Sequence, residues 1–365
     1  MNNPKIIAFH LPQFHSIPEN DRWWGEGFTE WTNVRKARPL FHNHYQPRVP
    51  AQDRYYNMLD PSVQDWQAEL ARQYGIYGFC YYHYWFKGKQ LLERPVELLL
   101  ERGKPDLPFC LSWANEPWTR VWDGGERNVL MPQTYGGADD WREHIRYLAK
   151  IFRDPRYIRV DGKPVMLIYR SESIRDLPQM VEVWKAELAE LKLPGIHLVS
   201  MANGFNYDPR VHVFGPYSEF EPMWTMRNLP RSIEKHEHKV KRRAKLVRRI
   251  LRYRLHADQS YDYRLLWKAM NARHLPPHHY PGGFADWDNS PRRGLDRSMV
   301  MRNFTRESFA KGMGAQIAKA RGAGAEFLFF NAWNEWAEGT YLEPDVGRGL
   351  FFLETIRAAL NAGTS

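Results

Sequence analysis

Short apolar runs recur along the chain, and each is followed by polar residues and then by a stretch with helical spacing. Runs of this length and continuous hydrophobicity are typical of parallel strands buried on both faces. Five such strands are predicted at 6–14, 77–86, 109–113, 165–169 and 196–201. Three later strands are predicted at 211–214, within 279–289, and at 326–330.

Helices are predicted between these strands. Asp60 and Pro61 suit the N-cap and first position of a helix over 61–74, and Gly75 suits its end. Further helices are predicted at 91–101, 139–152, 177–191, 261–273, 306–322 and 349–360. The tryptophan-rich stretch 23–34 is predicted to be a long loop.

Strands that alternate with helices indicate βαβ units and a parallel sheet. Eight strands fit an α/β (β/α)8 TIM barrel better than an open doubly wound sheet, and no Gly-x-Gly-x-x-Gly motif follows the first strand. We therefore predict a single (β/α)8 catalytic domain over 1–365, with a basic helical insertion at 231–275.

Composition narrows the class of protein. Hydrophobic residues make up 43% of the 365 residues, which is enough for a full core, and the 15 tryptophans suit a cleft that stacks sugar rings. Cys80 and Cys110 lie inside predicted strands and are expected to be buried thiols. No spacing indicates a metal site or cofactor, and no leader or membrane span is apparent, so a cytoplasmic protein is expected.

The positive charge is concentrated in one segment. The net charge is +10, and residues 235–254 hold ten Lys or Arg against the single acid Glu237. A helix there would carry a modest apolar stripe and a cationic face. It could pack on the barrel as a solvated helix, lie on an anionic membrane surface and make the protein membrane-peripheral, or bind an acidic glycan. No nucleic-acid module accompanies the charge, so nucleic acid is not expected.

Two carboxylates follow the eighth predicted strand. Glu335 and Glu338 are three residues apart, so a helical turn would place them on one face with Cβ atoms roughly 5–6 Å apart. The mutual repulsion of such a pair should raise one pKa, and a proton donor beside an acceptor is what glycoside cleavage needs. The plainer interpretation is two solvated glutamates at the start of a surface helix.

Polar and aromatic side chains also follow the other strands, and in a barrel these ends converge on one face. Arg292 and Arg293 are expected to pair with Asp286 and Asp288, and adjacent histidines near residue 278 diverge too much for a metal site. The predicted substrate-binding residues are His10, Gln13, Trp31, His83, Tyr84, Trp85, Asn115, Glu116, Trp118, Asp288, Asn334 and Trp336.

Five motifs carry a family resemblance. They are Phe9-His10-Leu11-Pro12-Gln13-Phe14-His15, Gly27-Phe28-Thr29-Glu30-Trp31, Ser112-Trp113-Ala114-Asn115-Glu116-Pro117-Trp118, Trp287-Asp288-Asn289-Ser290-Pro291-Arg292-Arg293 and Asn334-Glu335-Trp336-Ala337-Glu338-Gly339-Thr340. Together they resemble the glycoside hydrolase family 99-like group and, more closely, the WbsX-type proteins of polysaccharide (O-antigen) biosynthesis. The resemblance runs from the first strand to the eighth.

The resemblance implies a (β/α)8 barrel that cleaves α-mannosidic bonds with retention, through the sugar 2-OH and a 1,2-anhydro sugar. On that pattern Glu335 is the base that takes the 2-OH proton, and Glu338 is the acid that protonates the leaving oxygen. This chain has Ala337 where the hydrolases carry His, which bears on the substrate and the reaction. The implied substrate is a mannose-containing or related bacterial polysaccharide of O-antigen or capsule type.

Three alternatives stand beside this interpretation. Asn115-Glu116-Pro117 resembles the acid/base motif of another large clan of retaining barrel hydrolases, in which the two acids follow strands four and seven. A glycosyltransferase of lipopolysaccharide biosynthesis, the activity for which WbsX-type proteins are named, would need a site for a diphosphate. A carbohydrate-binding protein without activity would not require both Glu335 and Glu338.

Overall fold

The computed structural model describes residues 2–120, 129–204, 215–251 and 260–362, and its centre is a barrel of parallel strands. The strands are β1 (Lys5–His10), β2 (Ile76–Phe86), β3 (Phe109–Trp113), β4 (Lys163–Ile168), β5 (His197–Ala202), β6 (Tyr217–Glu219), β7 (Gly282–Phe284) and β8 (Phe327–Asn331). Their spatial order is β6-β5-β4-β3-β2-β1-β8-β7. A parallel bridge between Ser218 and Tyr280 joins β6 to the residues before β7 and nearly closes the ring. The predicted (β/α)8 barrel is confirmed.

The continuous apolar runs are explained by burial on both faces of the strands. All five residues of β8 are buried, and its register places Leu328 beside Ile6 and Phe330 beside Ala8. One face of each strand packs inside the barrel and the other packs against helices, so charged residues lie mainly at the strand ends. Cys80 on β2 and Cys110 on β3 lie beside each other in the sheet, and both are buried free thiols.

Helices surround the barrel. They are α1 (Pro18–Trp24), α2 (Glu30–Lys36), α3 (Pro61–Gln73), α4 (Arg94–Arg102), α5 (Ala138–Phe152), α6 (Leu177–Glu190), α7 (Met223–Arg227), α8 (Arg231–Leu251), α9 (Tyr263–Ala272), α10 (Ser290–Arg297), α11 (Arg306–Gly322) and α12 (Phe351–Asn361). The predicted cap of α3 is confirmed, since the Asp60 carboxylate accepts a hydrogen bond from the Ser62 backbone N–H at 2.9 Å.

Two predictions of local structure do not match the observed elements. The stretch 23–34 is not a loop, because α1 and α2 occupy most of it. Local signals explain them: Pro18 is the first residue of α1, and the Thr29 backbone N–H donates to the Thr32 hydroxyl at the start of α2. The predicted sixth strand at 211–214 lies outside the described residues, and the sixth barrel strand is β6.

The basic segment forms α8, which lies between β6 and β7 in the chain. Glu237 and Ala244 are buried, whereas Lys239, Arg242 and Arg243 are exposed. The helix therefore packs by one face, as the packed-helix interpretation predicts, and presents a cationic face to solvent. Among the helices that the structure describes, none is both long enough and apolar enough to cross a membrane.

Candidate active site

A cavity of about 610 Å³ opens at the C-terminal ends of the barrel strands. Its wall mixes aromatic and methionine side chains with a few charged groups, which is the composition of a ligand site. Its lining comprises Leu11, Tyr82, Tyr84, Ala114, Glu116, Trp118, Tyr169, Phe220, Met223, Met226, Lys241, Tyr261, Trp287, Asn289, Arg292, Arg293, Met299, Asn331, Glu335 and Glu338.

Arg292 holds both strand-eight carboxylates at the cavity. Its Nη2 lies 3.1 Å from Glu335 Oε2 and its Nη1 lies 2.6 Å from Glu338 Oε1. Its Nε lies 2.8 Å from Glu30 Oε1, so one buried guanidinium serves three carboxylates. Charge-assisted bonds of this kind fix geometry strongly. The interpretation of Glu335 and Glu338 as solvated surface glutamates is therefore wrong.

The pKa of Glu335 is raised from 4.5 to about 8. Burial of the carboxyl is the main cause, the charges of Glu338 and Glu30 add to it, and Arg292 opposes it. The predicted rise of one pKa in the pair is confirmed, but repulsion within the pair is only the smaller part of its origin.

A constrained turn after β8 aims the two glutamates. The Asn334 side chain exchanges hydrogen bonds with the backbone of Leu11, accepting at 2.8 Å and donating at 3.0 Å. A 3₁₀ turn over Trp336–Glu338 follows and ends at Gly339, whose φ is 67°. A Cβ on Gly339 would lie 2.9 Å from Asp288, so both conformation and space call for glycine there.

A buried polar network supports this turn from below. Glu343 accepts hydrogen bonds from the indole N–H groups of Trp333 at 3.0 Å and Trp336 at 2.7 Å, and from the Gln67 amide at 2.7 Å. Burial raises the pKa of Glu343 to about 7. His10 Nε2 lies 3.1 Å from Gln67 Oε1 and extends the network under β1.

The structure thus places five predicted substrate-binding residues in support of the site and not in the cavity lining. His10, Asn334 and Trp336 are almost wholly buried in the contacts above. The Trp31 indole N–H donates to the Tyr56 backbone carbonyl at 2.8 Å. Gln13 is buried, and its backbone carbonyl accepts from the N–H of Glu30 at 3.0 Å, which positions that carboxylate.

Strand alternation divides the predicted residues of β2. Tyr84 lines the cavity together with Tyr82. His83 and Trp85 face the helical layer, where His83 Nε2 lies 2.9 Å from His144 Nε2. The Trp85 indole donates to Asp140 at 3.1 Å. Because side chains alternate along a strand, His83, Tyr84 and Trp85 cannot all reach one cavity, and the sequence alone contained that signal.

The residues after β3 divide in the same way. Glu116 and Trp118 line the cavity, whereas Asn115 is buried and exchanges hydrogen bonds with the backbone of Arg170, each at 2.8 Å. Arg170 Nη1 lies 2.9 Å from Glu116, whose pKa burial nevertheless raises. Glu116 follows β3 and Glu335 follows β8, so the acids do not occupy the positions of the clan with an Asn-Glu-Pro acid/base.

The predicted pairing of Arg292 and Arg293 with Asp286 and Asp288 is wrong. Asp286 binds Arg48 at 3.0 Å. Asp288 accepts from His44 at 2.9 Å and Gln46 at 2.7 Å, outside the cavity lining. Burial alone would raise the pKa of Asp288, but the hydrogen bond with His44 and the Arg48 charge lower it to about 2. The partners come from the distant segment 44–48, which no local pattern identifies.

Several lining residues are absent from the sequence prediction. Lys241 comes from α8, Tyr261 from the residues just before α9, and Arg293, Phe220 and Met299 from other loops and helices. One signal was available for Lys241: Glu237, the single acid of the basic stretch, lies one turn earlier and marks the inward face of α8. Within the described residues, no group of three or more His, Cys, Asp or Glu side chains is arranged to hold a metal ion.

Comparisons with known proteins agree with this architecture. A chain of the GH99 endo-alpha-mannosidase from Bacteroides thetaiotaomicron superposes with a TM-score of 0.58 at 14% identity, covering 99% of this chain and 98% of that one. A structure described as a glycoside hydrolase-like protein gives a TM-score of 0.60 at 12% identity over 99% and 94% of the two chains. At these identities the likeness concerns the fold.

Sequence relatives identify the family. The uncharacterised protein WxcX of Xanthomonas campestris pv. campestris is 39% identical over 359 residues, which cover 97% of this chain and 49% of that protein. The chain therefore spans about half the length of the curated relatives it matches. The family model described as glycosyltransferase WbsX matches residues 6–356. The predicted resemblance is confirmed, and the chain belongs to the WbsX family.

Proposed function

We propose that this protein is a retaining glycoside hydrolase that cleaves a mannose-containing or related bacterial polysaccharide of O-antigen or capsule type. The observation that carries the proposal is the anchoring of Glu335 and Glu338 on Arg292 at the edge of one cavity. Two carboxylates of unequal environment, one deeply buried and one partly exposed, are the pattern that glycosidases use to divide acid and base roles.

The proposed reaction uses the sugar 2-OH. Glu335 takes the 2-OH proton while that oxygen attacks C1, and Glu338 gives its proton to the departing glycosidic oxygen. A 1,2-anhydro sugar forms and the C1–O bond to the leaving group breaks. Water then attacks C1, Glu338 takes the water proton, and Glu335 returns a proton to O2. Only the ionised form of Glu335 can take the 2-OH proton, and because its pKa is raised to about 8, that form is a stronger base than an ordinary carboxylate.

The cavity wall supports a sugar ligand. Tyr82, Tyr84, Trp118 and Trp287 supply aromatic surface, and the Trp118 ring meets Tyr84 edge-on at 5.2 Å between centroids. Flat apolar faces beside a few charged groups suit pyranose rings, whose faces are apolar and whose edges are polar. Ala337 stands where the resemblance implies a histidine in the hydrolases, and it is fully buried outside the cavity lining, so we infer that this difference affects the turn more than the substrate contact.

The decisive experiment is incubation with a panel of α-mannans and O-antigen or capsular polysaccharides without any nucleotide sugar, followed by product analysis. We expect release of oligosaccharides whose new reducing ends keep the original anomeric configuration when first formed. Glu335→Gln and Glu338→Gln should each abolish release while the circular dichroism spectrum is unchanged. Full activity of Glu338→Gln would refute the acid assignment.

A second activity is favoured by the family's description as a glycosyltransferase. It predicts that sugar transfer requires a nucleotide-sugar or lipid diphosphate donor and that no glycan is cleaved in its absence. The same panel, run with and without GDP-mannose and a glycan acceptor, separates the two activities, because only a glycosyltransferase lengthens the acceptor at the expense of GDP-mannose.

We also propose that the outer face of α8 binds an anionic lipid surface. Lys235, Lys239, Arg242 and Arg243 are exposed there, and Leu246 is 57% exposed among them. A cationic face with a protruding leucine complements acidic headgroups and the apolar boundary beneath them. The inner face of α8 contributes Lys241 to the cavity lining, so this proposal concerns the outer face alone.

A further inference from the structure

One wall of the cavity is cationic. Lys241, on α8, lines the cavity and places its Nζ 3.4 Å from the centroid of the Tyr261 ring. Arg293, on α10, lines it as well and is exposed. The ring of Tyr261 holds the ammonium by a cation–π contact and leaves its charge available to a ligand.

These two charges differ from the others in the lining because they are not balanced. Glu335 and Glu338 bind Arg292, and Glu116 binds Arg170. Within the described part of the chain, neither Lys241 nor Arg293 forms an ion pair. The nearest acid on the Lys241 face of α8 is Glu237, and that carboxylate binds Arg302.

An unbalanced cation in a partly desolvated wall favours an anionic ligand. Burial lowers the pKa of Lys241 to about 8, against the attraction of Glu237. An anion at this wall would stabilise the charged form of Lys241 by replacing the lost hydration with direct contact. Neutral hydroxyls bind lysine less strongly than carboxylate or phosphate oxygens do.

We propose that the glycan accepted by this cavity carries an anionic substituent, a carboxylate or a phosphate, which binds to Lys241 and Arg293. The inference rests on the proposed function for the identification of the ligand as a glycan. It adds a specificity: the enzyme distinguishes acidic from neutral polysaccharides through a wall formed by α8 and α10, apart from the carboxylates that follow β3 and β8.

The test measures binding with matched ligands on the Glu338→Gln variant, so that no turnover is needed. One pair is a uronate-containing capsular oligosaccharide and the same oligosaccharide after reduction of its carboxyl groups. The other is a phosphomannan oligosaccharide and its dephosphorylated form. Calorimetry should show that the acidic member of at least one pair binds roughly 10- to 100-fold more tightly, as charged hydrogen bonds imply. The pair that shows the preference identifies the anion.

Variants assign that preference to the wall. Lys241→Met, which keeps the alkyl chain over Tyr261, and Arg293→Gln should each reduce the preference about tenfold, and Lys241→Arg should retain most of it. Lys245→Met and Arg231→Gln change exposed residues of α8 outside the cavity lining and should leave the preference intact. Equal affinities within both pairs, or a preference that survives the double variant Lys241→Met/Arg293→Gln, would overturn the inference.

The hydrolase proposal and the anion-site proposal can be refuted independently of each other. If no polysaccharide is cleaved by the unmodified protein but acidic oligosaccharides still bind through Lys241 and Arg293, the hydrolase proposal fails and the anion site stands. If GDP binds through the same two residues more tightly than either acidic oligosaccharide, the anion is the diphosphate of a sugar donor, and the glycan specificity proposed here is wrong.

Discussion

Replacement of Glu335 by glutamine should stabilise the protein at alkaline pH. In the folded state this carboxyl is buried and its pKa is raised from 4.5 to about 8. Between those values the folded protein holds a proton that the unfolded chain has released, so stability falls as the pH rises through this interval and levels off above it. Glu335→Gln removes the titration and keeps a carbonyl oxygen for Arg292.

The size of the expected stability difference follows from the interval between the two pKa values of Glu335, 4.5 and about 8. At about 1.4 kcal/mol per pH unit, the loss in the unmodified protein accumulates to about 4 kcal/mol at pH 8. With an unfolding entropy of roughly 2.1 cal/mol/K per residue, that free energy corresponds to a midpoint about 5 °C higher for the variant at pH 8. At pH 4.5 the two proteins should unfold at nearly the same temperature.

Differential scanning fluorimetry of both proteins between pH 4.5 and 9 measures this difference. Glu354→Gln changes an exposed carboxylate of α12 and is the matched control, for which no pH-dependent gain is expected. A midpoint for Glu335→Gln at or below that of the unmodified protein at pH 8 would refute the reasoning, because it would mean that Glu335 is ionised without cost in the folded state.

The remaining predictions concern the roles of neighbouring charges. If Glu335 is the base, kcat/KM should rise with pH through about 8, whereas a fall through that range in a pH–rate profile would assign it as the acid. Arg292→Met should leave its three carboxylates unpaired and lower the unfolding free energy by about 3–5 kcal/mol in denaturant titrations, and unchanged stability would contradict the arrangement. Reversal of Lys239, Arg242 and Arg243 to glutamate should abolish sedimentation with phosphatidylserine vesicles but leave turnover of a soluble oligosaccharide intact, and unchanged sedimentation would exclude the outer face of α8 as the lipid contact.

The sequence predicts the barrel well because burial imposes one rule on every strand. The runs that became β1 to β5, β7 and β8 are apolar on both faces, and the helix over 306–322 has the predicted bounds. Burial patterns predict an element less reliably where that element is short. The three residues of β6 carry too little pattern to be located, and α1 and α2 are too short for a clear helical period.

The site is only partly predictable, for a different reason. Position at the end of a strand drew attention to Glu335, Glu338, Glu116 and Trp118, and all four line the cavity. Which polar residue faces the cavity depends on strand alternation and on partners that are distant in sequence. Arg292 meets Glu30 across 262 residues, and no local pattern encodes that contact.

Charge around the turn that follows β8 bears on the choice between hydrolysis and sugar transfer. Glu30, Glu335 and Glu338 share the single cation Arg292, so three acidic groups meet one positive charge at this part of the cavity. A donor diphosphate placed against it would add negative charges at short range in a partly buried site, where repulsion is screened less than in water. A neutral anomeric centre suffers no such repulsion. An anionic group of the ligand is better accommodated beside the positive charges of Lys241 and Arg293. The distribution of charge therefore favours cleavage of an acidic glycan over transfer from a nucleotide sugar, and competition by GDP is the measurement that would reverse this preference.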